Sequence, residues 1–238
     1  MNTGGFMGGL YRICEWIMRF SVTNVLWLLF NLPVVYLGLT LLFVENMNEM
    51  MTILTTMAIL APFIFFPATT AMFGVVRKWV LGEQDIPLFR SFWQYYKENY
   101  VRSMCGGLLF IVLSVICIVD LIFFSTQKQP VLFYFFIFLS VFLFVIVLNF
   151  FSNTVHFHTP FLASVKNAIL LSIAKPFNTL LTFATNAAIV VFSFQVATFL
   201  IPFFMGSLCA YLSFVFYYRA ILQVEAIRQK KNGNLNES

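Results

Sequence analysis

Hydrophobic stretches alternate with short polar segments along the whole of this chain. Six stretches are about long enough to cross roughly 30 Å of hydrocarbon as an α-helix. They cover residues 22–44, 50–76, 104–124, 131–151, 179–200 and 205–224. The pattern predicts an all-α integral membrane protein with about six transmembrane helices. Residues 1–225 form one membrane domain, and residues 226–238 form a polar tail.

The overall composition supports a lipid environment. Apolar residues make up 61% of the 238 residues and charged residues 10%, whereas about 25% of the residues in a soluble domain are charged. The net charge of +5 is also compatible with nucleic-acid binding, but such proteins group their cations on a soluble face. Here Lys and Arg lie at the ends of the hydrophobic stretches. We therefore expect a lipid bilayer, and not nucleic acid, as the partner of these cations.

Three segments have the spacing of amphipathic helices: residues 6–20 before the first span, and two connectors, 85–102 and 160–175. Such helices lie in the headgroup layer or offer a surface that a partner can bind. Thr159 before Pro160 predicts the start of the second connector, and Pro176 its end. The candidate partner-binding residues in and beside the connectors are Arg77, Lys78, Arg90, Phe92, Trp93, Lys97, Lys166 and Asn167.

The distribution of positive charge predicts the topology. Thirteen of the fourteen Lys and Arg residues lie near the N-terminus, in the 77–102 and 156–178 regions, or near the C-terminus. Lys128 alone lies in the remaining connections. By the positive-inside rule, both termini and both amphipathic connectors are cytoplasmic.

Several polar residues interrupt the hydrophobic stretches. We expect Asn24, Asn31, Asn149, Asn186 and Gln195 to face other helices and to form hydrogen bonds there, in preference to forming a ligand site. Pro62 and Pro67 lie five residues apart in the second span and predict either a packing kink or a re-entrant break. We favour the kink.

Motifs for catalysis, metal binding or nucleotide binding do not appear in the sequence. It has no phosphate-binding glycine loop, zinc-protease motif, nucleophile elbow or pair of intramembrane carboxylates. His156 and His158 are two residues apart and do not share a helix face, and the four cysteines are scattered. We expect no enzyme activity, no cofactor and no metal site.

The chain resembles the YesL family of bacterial membrane proteins, which carry a domain of unknown function. The resemblance covers most of the chain. It is carried by Asn24-Val-Leu-Trp27-Leu-Leu-Phe30, Leu32-Pro33, Pro67-Ala-Thr-Thr-Ala71-Met-Phe-Gly74, Arg77-Lys78-Trp79, Asp85-Ile-Pro87, Phe92, Tyr96-Lys97-Glu98-Asn99 and Lys166-Asn167-Ala168. Tyr36-Leu37-Gly38 departs from it, because a Thr-Ile-Gly-like step is expected there.

The resemblance implies a multi-pass protein of the bacterial cytoplasmic membrane, encoded near carbohydrate ABC importers. From it we expect an accessory or regulatory membrane subunit, non-catalytic, that contacts the permease subunits and the ATPase of such an importer. Two alternatives stay open: an autonomous carrier or facilitator for a sugar-like solute, and a membrane sensor or scaffold.

Overall fold

The computed structural model describes residues 6–157 and 159–236. These residues form an all-helical bundle, as the hydrophobic pattern predicts. The helices are α1 (Phe6–Phe30), α2 (Leu32–Thr40), α3 (Met47–Leu60), α4 (Phe65–Val80), α5 (Leu88–Thr126), α6 (Pro130–His156), α7 (Phe161–Ala174), α8 (Pro176–Gln195) and α9 (Gly206–Asn236). A 3-10 turn, Leu41–Phe43, follows α2, and a π-helical turn, Ile201–Met205, precedes α9.

Several of these helices are long and apolar enough to cross a membrane. In the described part of the chain there are five, at Gly8–Phe30, Leu88–Thr126, Pro130–His156, Pro176–Gln195 and Ile201–Ile227. The consecutive helices α3 and α4 raise the number to six if they count together as one broken span. The protein is therefore a multi-pass membrane protein.

Helix α4 forms the centre of the bundle. Twelve of its sixteen residues are buried, and it packs against α1, α5, α6 and α9. Its sequence explains this position, because the small residues of Pro67-Ala-Thr-Thr-Ala71 and Gly74 let neighbouring helices approach closely. A Cβ atom at Gly74 would lie 2.5 Å from Cγ of Tyr95 on α5. The Ser103 hydroxyl of α5 also donates a hydrogen bond of 2.7 Å to the Thr70 hydroxyl.

Helix α5 joins two segments that the sequence separates by composition. It has 39 residues, which corresponds to about 58 Å at 1.5 Å per residue. The predicted amphipathic connector 85–102 and the third predicted span are therefore one continuous helix from Leu88 onward. The change from polar to apolar composition near residue 103 does not interrupt the backbone, because no Gly or Pro lies between Leu88 and Met104.

Helix α1 is continuous in the same way. The predicted interfacial segment 6–20 and the start of the first span lie on one helix that ends at Phe30. Pro33 has no backbone N–H and lies in the first turn of α2, which explains why the chain breaks at Asn31. The predicted polar tail is also helical as far as Asn236.

The second predicted span is broken between Leu60 and Phe65. Helices α3 and α4 meet there at a bend of 54°. Pro67 lies in the first turn of α4, where its missing N–H costs little, while Pro62 lies inside the break and is buried. The Cα atom of Pro62 would lie 2.7 Å from a Cβ atom at position 107, so Gly107 of α5 makes room for the break.

Helices α2 and α3 form a hairpin at the edge of the bundle. They contact each other, and within the described residues neither helix contains a buried one. The hairpin is joined to the rest of the bundle at the Asn31 break and at the break between Leu60 and Phe65. The well-packed body is therefore made by α1 and α4–α9, and the hairpin lies against it.

Candidate functional site

Many of the cations meet at one end of the bundle. We call this end the basic end: the 81–87 loop, the first turns of α5 and the C-terminal end of α6. Arg19 of α1 bonds to Glu15 and to the loop residues Gln84 and Asp85, at 3.2 Å and 2.9 Å. Arg102 of α5 donates hydrogen bonds to the carbonyl oxygens of the α6 residue Thr154 (3.1 Å) and of Phe157 (3.3 Å), which directly follows α6. The Arg19 contacts hold α1 against the 81–87 loop, and the Arg102 contacts hold α5 against the end of α6.

The turn after α4 fixes the start of the basic end. Gly82 has φ +93°, a conformation that side chains with a Cβ disfavour. The Gly82 and Glu83 N–H groups donate to the carbonyl oxygens of Trp79 and Lys78, which closes the helix end. Lys78 and Glu83 also form an ion pair across this turn. Gly82 thus ends α4.

The first turns of α5 present two different faces. Phe92 is completely buried, and its ring centroid lies 5.0 Å from that of Phe30 on α1. The prediction that Phe92 binds a partner is therefore wrong for this conformation, because its side chain belongs to the contact between α1 and α5. An aromatic residue at helical spacing fits a core position and a binding position equally well, so the sequence alone does not separate them.

The adjoining face of α5 is exposed, and Trp93 on it also contacts Phe30 of α1, with 5.6 Å between the ring centroids. Trp93 is 42% exposed, stacks on the Tyr96 ring, and has the Lys97 ammonium 4.6 Å from its ring centroid. Arg90 and Gln94 lie on the same face at helical spacing. We call Arg90, Trp93, Gln94 and Lys97 the Trp93 surface. Exposed aromatic side chains next to cations are typical of protein interfaces.

A polar cavity of about 350 Å³ adjoins the Trp93 surface. Lys78 and Arg90 both line it, together with Gln94 and Tyr95. The structure thus brings the predicted residues Lys78 and Arg90 to one place. Arg77 is half-buried one residue earlier, and its Nε atom has no hydrogen-bond partner within the described residues.

Lys166 and Asn167 are exposed on a different helix, α7. The first residue of α7, Phe161, contacts Phe150 of α6, and Ser172, eleven residues later, is bonded to the neighbouring Asn149. Helix α7 therefore crosses α6 instead of running along it. It begins after Pro160 and ends before Pro176, as predicted, and Pro176 also starts α8.

Asn24 joins α1 to the start of α9. Its Nδ2 atom donates to the carbonyl oxygens of Ile201 (3.1 Å) and Pro202 (2.7 Å). Its Oδ1 atom accepts a 3.0 Å hydrogen bond from the Ser207 backbone N–H. Asn31, by contrast, lies at the break after α1 and donates back to the Trp27 carbonyl oxygen of that helix. Its Oδ1 atom has no partner in the part of the chain that the structure describes.

The other three predicted intramembrane polar residues also differ in whether they join two helices. Asn149 donates to the Ser172 hydroxyl at 2.8 Å and joins α6 to α7. Asn186 donates to the Ser213 hydroxyl at 2.9 Å and joins α8 to α9. Gln195 is exposed at the last position of α8. The expectation that Gln195 packs between helices is wrong, because α8 ends there and the side chain points away from the bundle.

The sequence reasoning missed a polar cluster at the basic end. The Tyr217 hydroxyl of α9 donates a 3.0 Å hydrogen bond to Oδ1 of Asn153 on α6. The His156 ring lies against Tyr217 and Tyr218, and His158 lies outside the described residues. Asn153 is four residues after Asn149 and so lies on the same helix face. That spacing is the signal that predicts its burial.

A cavity of about 680 Å³ lies in the other half of the bundle and is almost entirely apolar. The hairpin contributes Val34, Met57 and Ala58 to its lining. The rest of the lining comes from Ala61 in the break after α3 and from α1, α4, α5, α6, α8 and α9. No group of three or more His, Cys, Asp or Glu side chains among the described residues is arranged to hold a metal ion.

Comparison with known proteins places the chain in a family. A model of the family described as "Protein of unknown function, DUF624" matches residues 20–121. Three relatives from Bacillus subtilis (strain 168) are similar to this chain, and each is described as uncharacterized. YteU is 34% identical over 94% of this chain and 90% of its own. YesL is 27% identical over 94% of both chains, and YesV is 29% identical over 71% of both.

No solved structure matches the chain significantly. The match to YteU runs over nearly the whole of both proteins, and the match to YesL confirms the resemblance drawn from the sequence motifs. The chain belongs to the DUF624 family of proteins of unknown function and is a YesL-like member of it.

Proposed function

We propose that this protein is a non-catalytic accessory or regulatory subunit of a carbohydrate ABC importer in the bacterial cytoplasmic membrane. The carbohydrate context comes from the resemblance to YesL-like proteins. In this arrangement both termini and the basic end face the cytoplasm, in line with the positive-inside rule. The gathering of Arg19, Lys78, Arg90 and Arg102 at one end supports that orientation.

The observation that carries the proposal is the Trp93 surface. Trp93 and Lys97 are exposed on a helix that is anchored to α1 by the neighbouring, buried Phe92. A partly exposed tryptophan on a fixed helix loses little conformational entropy on binding, and Trp and Arg are the residues that most often dominate interface energetics. A permease loop or ATPase surface with acidic and apolar groups complements Arg90, Trp93 and Lys97.

The composition of the apolar cavity argues against the carrier alternative. A sugar presents many hydroxyl groups, and burying them without partners costs free energy. The lining of the 680 Å³ cavity has four polar side chains, Thr69, Ser114, Ser140 and Asn186, among 26 residues. Such a lining suits an apolar occupant much better than a sugar.

Purification from native membranes tests the proposal. The protein, tagged at its C-terminus, is extracted in a mild detergent and its companions are identified by mass spectrometry. We expect two permease subunits and an ATPase in a fixed ratio. The double variant Arg90→Glu/Lys97→Glu should lose them, because the changes reverse both charges of the Trp93 surface.

The matched control is Lys128→Glu, which reverses an exposed charge outside the basic end. It should retain all three companions. Recovery of the folded protein alone overturns the proposal. Uptake of a labelled sugar by liposomes that contain this protein alone would instead support the carrier, and recovery with a regulator but no permease would support the sensor or scaffold.

A further inference from the structure

The apolar cavity extends into the interior of the bundle from beneath the α2–α3 hairpin. One wall is the hairpin, through Val34 and Met57, and the facing wall is α4, through Phe66 and Phe73. The hairpin has no buried residue within the described chain, so it covers the cavity without packing tightly against the body. A volume of about 680 Å³ lies within the range of about 300–1,000 Å³ that is usual for ligand pockets.

The surroundings restrict the class of occupant. The cavity lies among helices whose outer faces are apolar and face lipid, for example at Val119 and Val191. Its own lining is also predominantly apolar. A hydrocarbon chain that enters from the bilayer therefore moves from one apolar environment into another. A charged ligand, or one with many hydroxyl groups, would lose its hydration.

One buried polar atom of a lining residue lacks a partner. Asn186 is 1% exposed and lines the cavity from the middle of α8. Its Nδ2 atom donates to the Thr182 carbonyl oxygen and to the Ser213 hydroxyl. Its Oδ1 atom accepts no hydrogen bond from the residues that the structure describes. An amide oxygen buried in an apolar setting gains free energy from any donor that reaches it.

We propose that this cavity binds a single long hydrocarbon chain that ends in an uncharged hydroxyl group, which donates a hydrogen bond to Oδ1 of Asn186. A fatty alcohol and a protonated fatty acid share this chemistry. The hydrocarbon part lies against the aromatic and aliphatic lining between α4, α5 and α6. The α2–α3 hairpin is the element past which the chain enters, because it connects to the body through breaks at both ends. The proposal rests on the cavity and does not depend on the importer.

Photolabelling of the purified full-length protein tests it. The protein is placed in nanodiscs of phosphatidylglycerol and phosphatidylethanolamine and labelled with hexadecanol that carries a diazirine in its chain. We expect cross-links on cavity-lining peptides around Ile111–Ile118 and Ser140–Leu148. Unlabelled hexadecanol should compete about tenfold better than hexadecane, the factor that one additional hydrogen bond of ordinary strength produces. A parallel arm with diazirine-labelled palmitic acid distinguishes the alcohol from the acid.

Two variants make the test specific. Val190→Trp adds a large side chain inside the cavity and should reduce the labelling several-fold. Val191→Trp places the same side chain on the adjacent position, which like Val190 is partly exposed but is not part of the lining, and should leave the labelling unchanged. Asn186→Leu keeps a similar side-chain size but removes the acceptor, so hexadecanol and hexadecane should then compete equally.

Three results overturn the proposal. The first is labelling that Val190→Trp and Val191→Trp change to the same extent, which would indicate ordinary lipid around the bundle. The second is equal competition by hexadecanol and hexadecane in the unmodified protein. The third is efficient labelling by a phospholipid probe with no labelling by either single-chain probe.

Discussion

The side chain of Asn24 on α1 holds the first turn of α9 at Ser207, 183 residues further along the chain. The amide oxygen accepts the Ser207 N–H, and the amide nitrogen donates to two carbonyl oxygens of the preceding π-helical turn. Every polar group of this side chain is thereby used for contacts with the backbone of the π-helical turn and α9. Because the donors and acceptors come from an irregular turn, water or another polar group would otherwise have to satisfy them.

Replacing Asn24 should therefore destabilise the bundle. We expect Asn24→Ala to lower the free energy of unfolding by about 1–3 kcal/mol, since three hydrogen bonds are lost and each contributes about 0.6 kcal/mol on average inside a membrane protein. Unfolding in mixed micelles of mild detergent and sodium dodecyl sulfate measures it. Gln195→Ala, at an exposed position, should stay within about 0.5 kcal/mol. An equal effect of the two changes would contradict the role given to Asn24.

Close packing at the break of α3 and α4 predicts a difference between two glycines. A Cβ atom at Gly107 would lie 2.7 Å from Cα of Pro62, whereas at Gly38 the nearest such atom is Cε of Met57 at 3.9 Å. Gly107→Ala should cost about 1–3 kcal/mol, because the backbone at Pro62 has to move. Gly38→Ala should be neutral or stabilise by up to about 1 kcal/mol, because alanine is the better helix former. The same unfolding titration compares them, and a stable Gly107→Ala variant would show that the break is not held by this contact.

Two phenylalanines in the first turns of α5 should differ in how much their replacement destabilises the protein. Phe92 is completely buried against Phe30, while Phe89 is 65% exposed. We expect Phe92→Ala to lower the free energy of unfolding by about 3 kcal/mol or more. Phe89→Ala should change it by about 0.5 kcal/mol or less. Thermal aggregation in detergent, followed by size-exclusion chromatography, ranks the two variants, and similar midpoints would argue against the α1–α5 contact.

Phe89 and Phe92 show which features of the fold the sequence predicts and which it does not. Helix ends follow from local chemistry, so Pro160 and Pro176 mark predicted boundaries that the structure confirms. The burial of Phe92 depends on where α1 lies, and no local pattern contains that information. In a chain with 32 phenylalanines, hydrophobicity marks both the lipid-facing and the protein-facing sides of a helix, so it does not distinguish them.

The sequence pattern also did not predict that α1 and α5 each continue as one helix across a change of composition. A change from amphipathic to uniformly apolar composition predicts a change of environment, and at α1 and α5 the environment changes while the helix continues. The burial of Arg19 follows from this continuity, because α1 carries the residue to the side of the 81–87 loop. The i, i+4 spacing of Glu15 and Arg19 is typical of an ion pair on a helix surface, but it does not reveal the second carboxylate that Arg19 contacts, Asp85.

Arg19 should hold the 81–87 loop in place. Its side chain is 4% exposed, whereas Asp85 is 95% exposed, so solvent weakens that part of the interaction. We expect Arg19→Gln to cost about 1–3 kcal/mol, less than the loss of one partner from a fully buried pair. Arg12→Gln, at an exposed position of the same helix, should have little effect.

The loop itself provides a second measurement for Arg19. In a background without the native cysteines, Ile86→Cys, at a half-buried loop position other than the Arg19 partners Gln84 and Asp85, is labelled with a maleimide. The labelling rate is compared with and without Arg19→Gln. A released loop should be labelled faster, while Arg12→Gln should leave the rate unchanged. Unchanged rates in both variants would mean that the loop is held by other contacts.

The orientation of the bundle leads to the last prediction. Lys128 lies between α5 and α6, and Gln94 lies on the Trp93 surface at the opposite end of α5. Both side chains are exposed, so each can report its side of the membrane when it is replaced by cysteine in the cysteine-free background. If the basic end is cytoplasmic, an impermeant maleimide added to intact cells should label Lys128→Cys but not Gln94→Cys. After the membrane is permeabilised, both variants should react. The reverse pattern in intact cells would place the Trp93 surface outside the cell, where an ATPase cannot reach it, and would contradict the proposed function together with the topology.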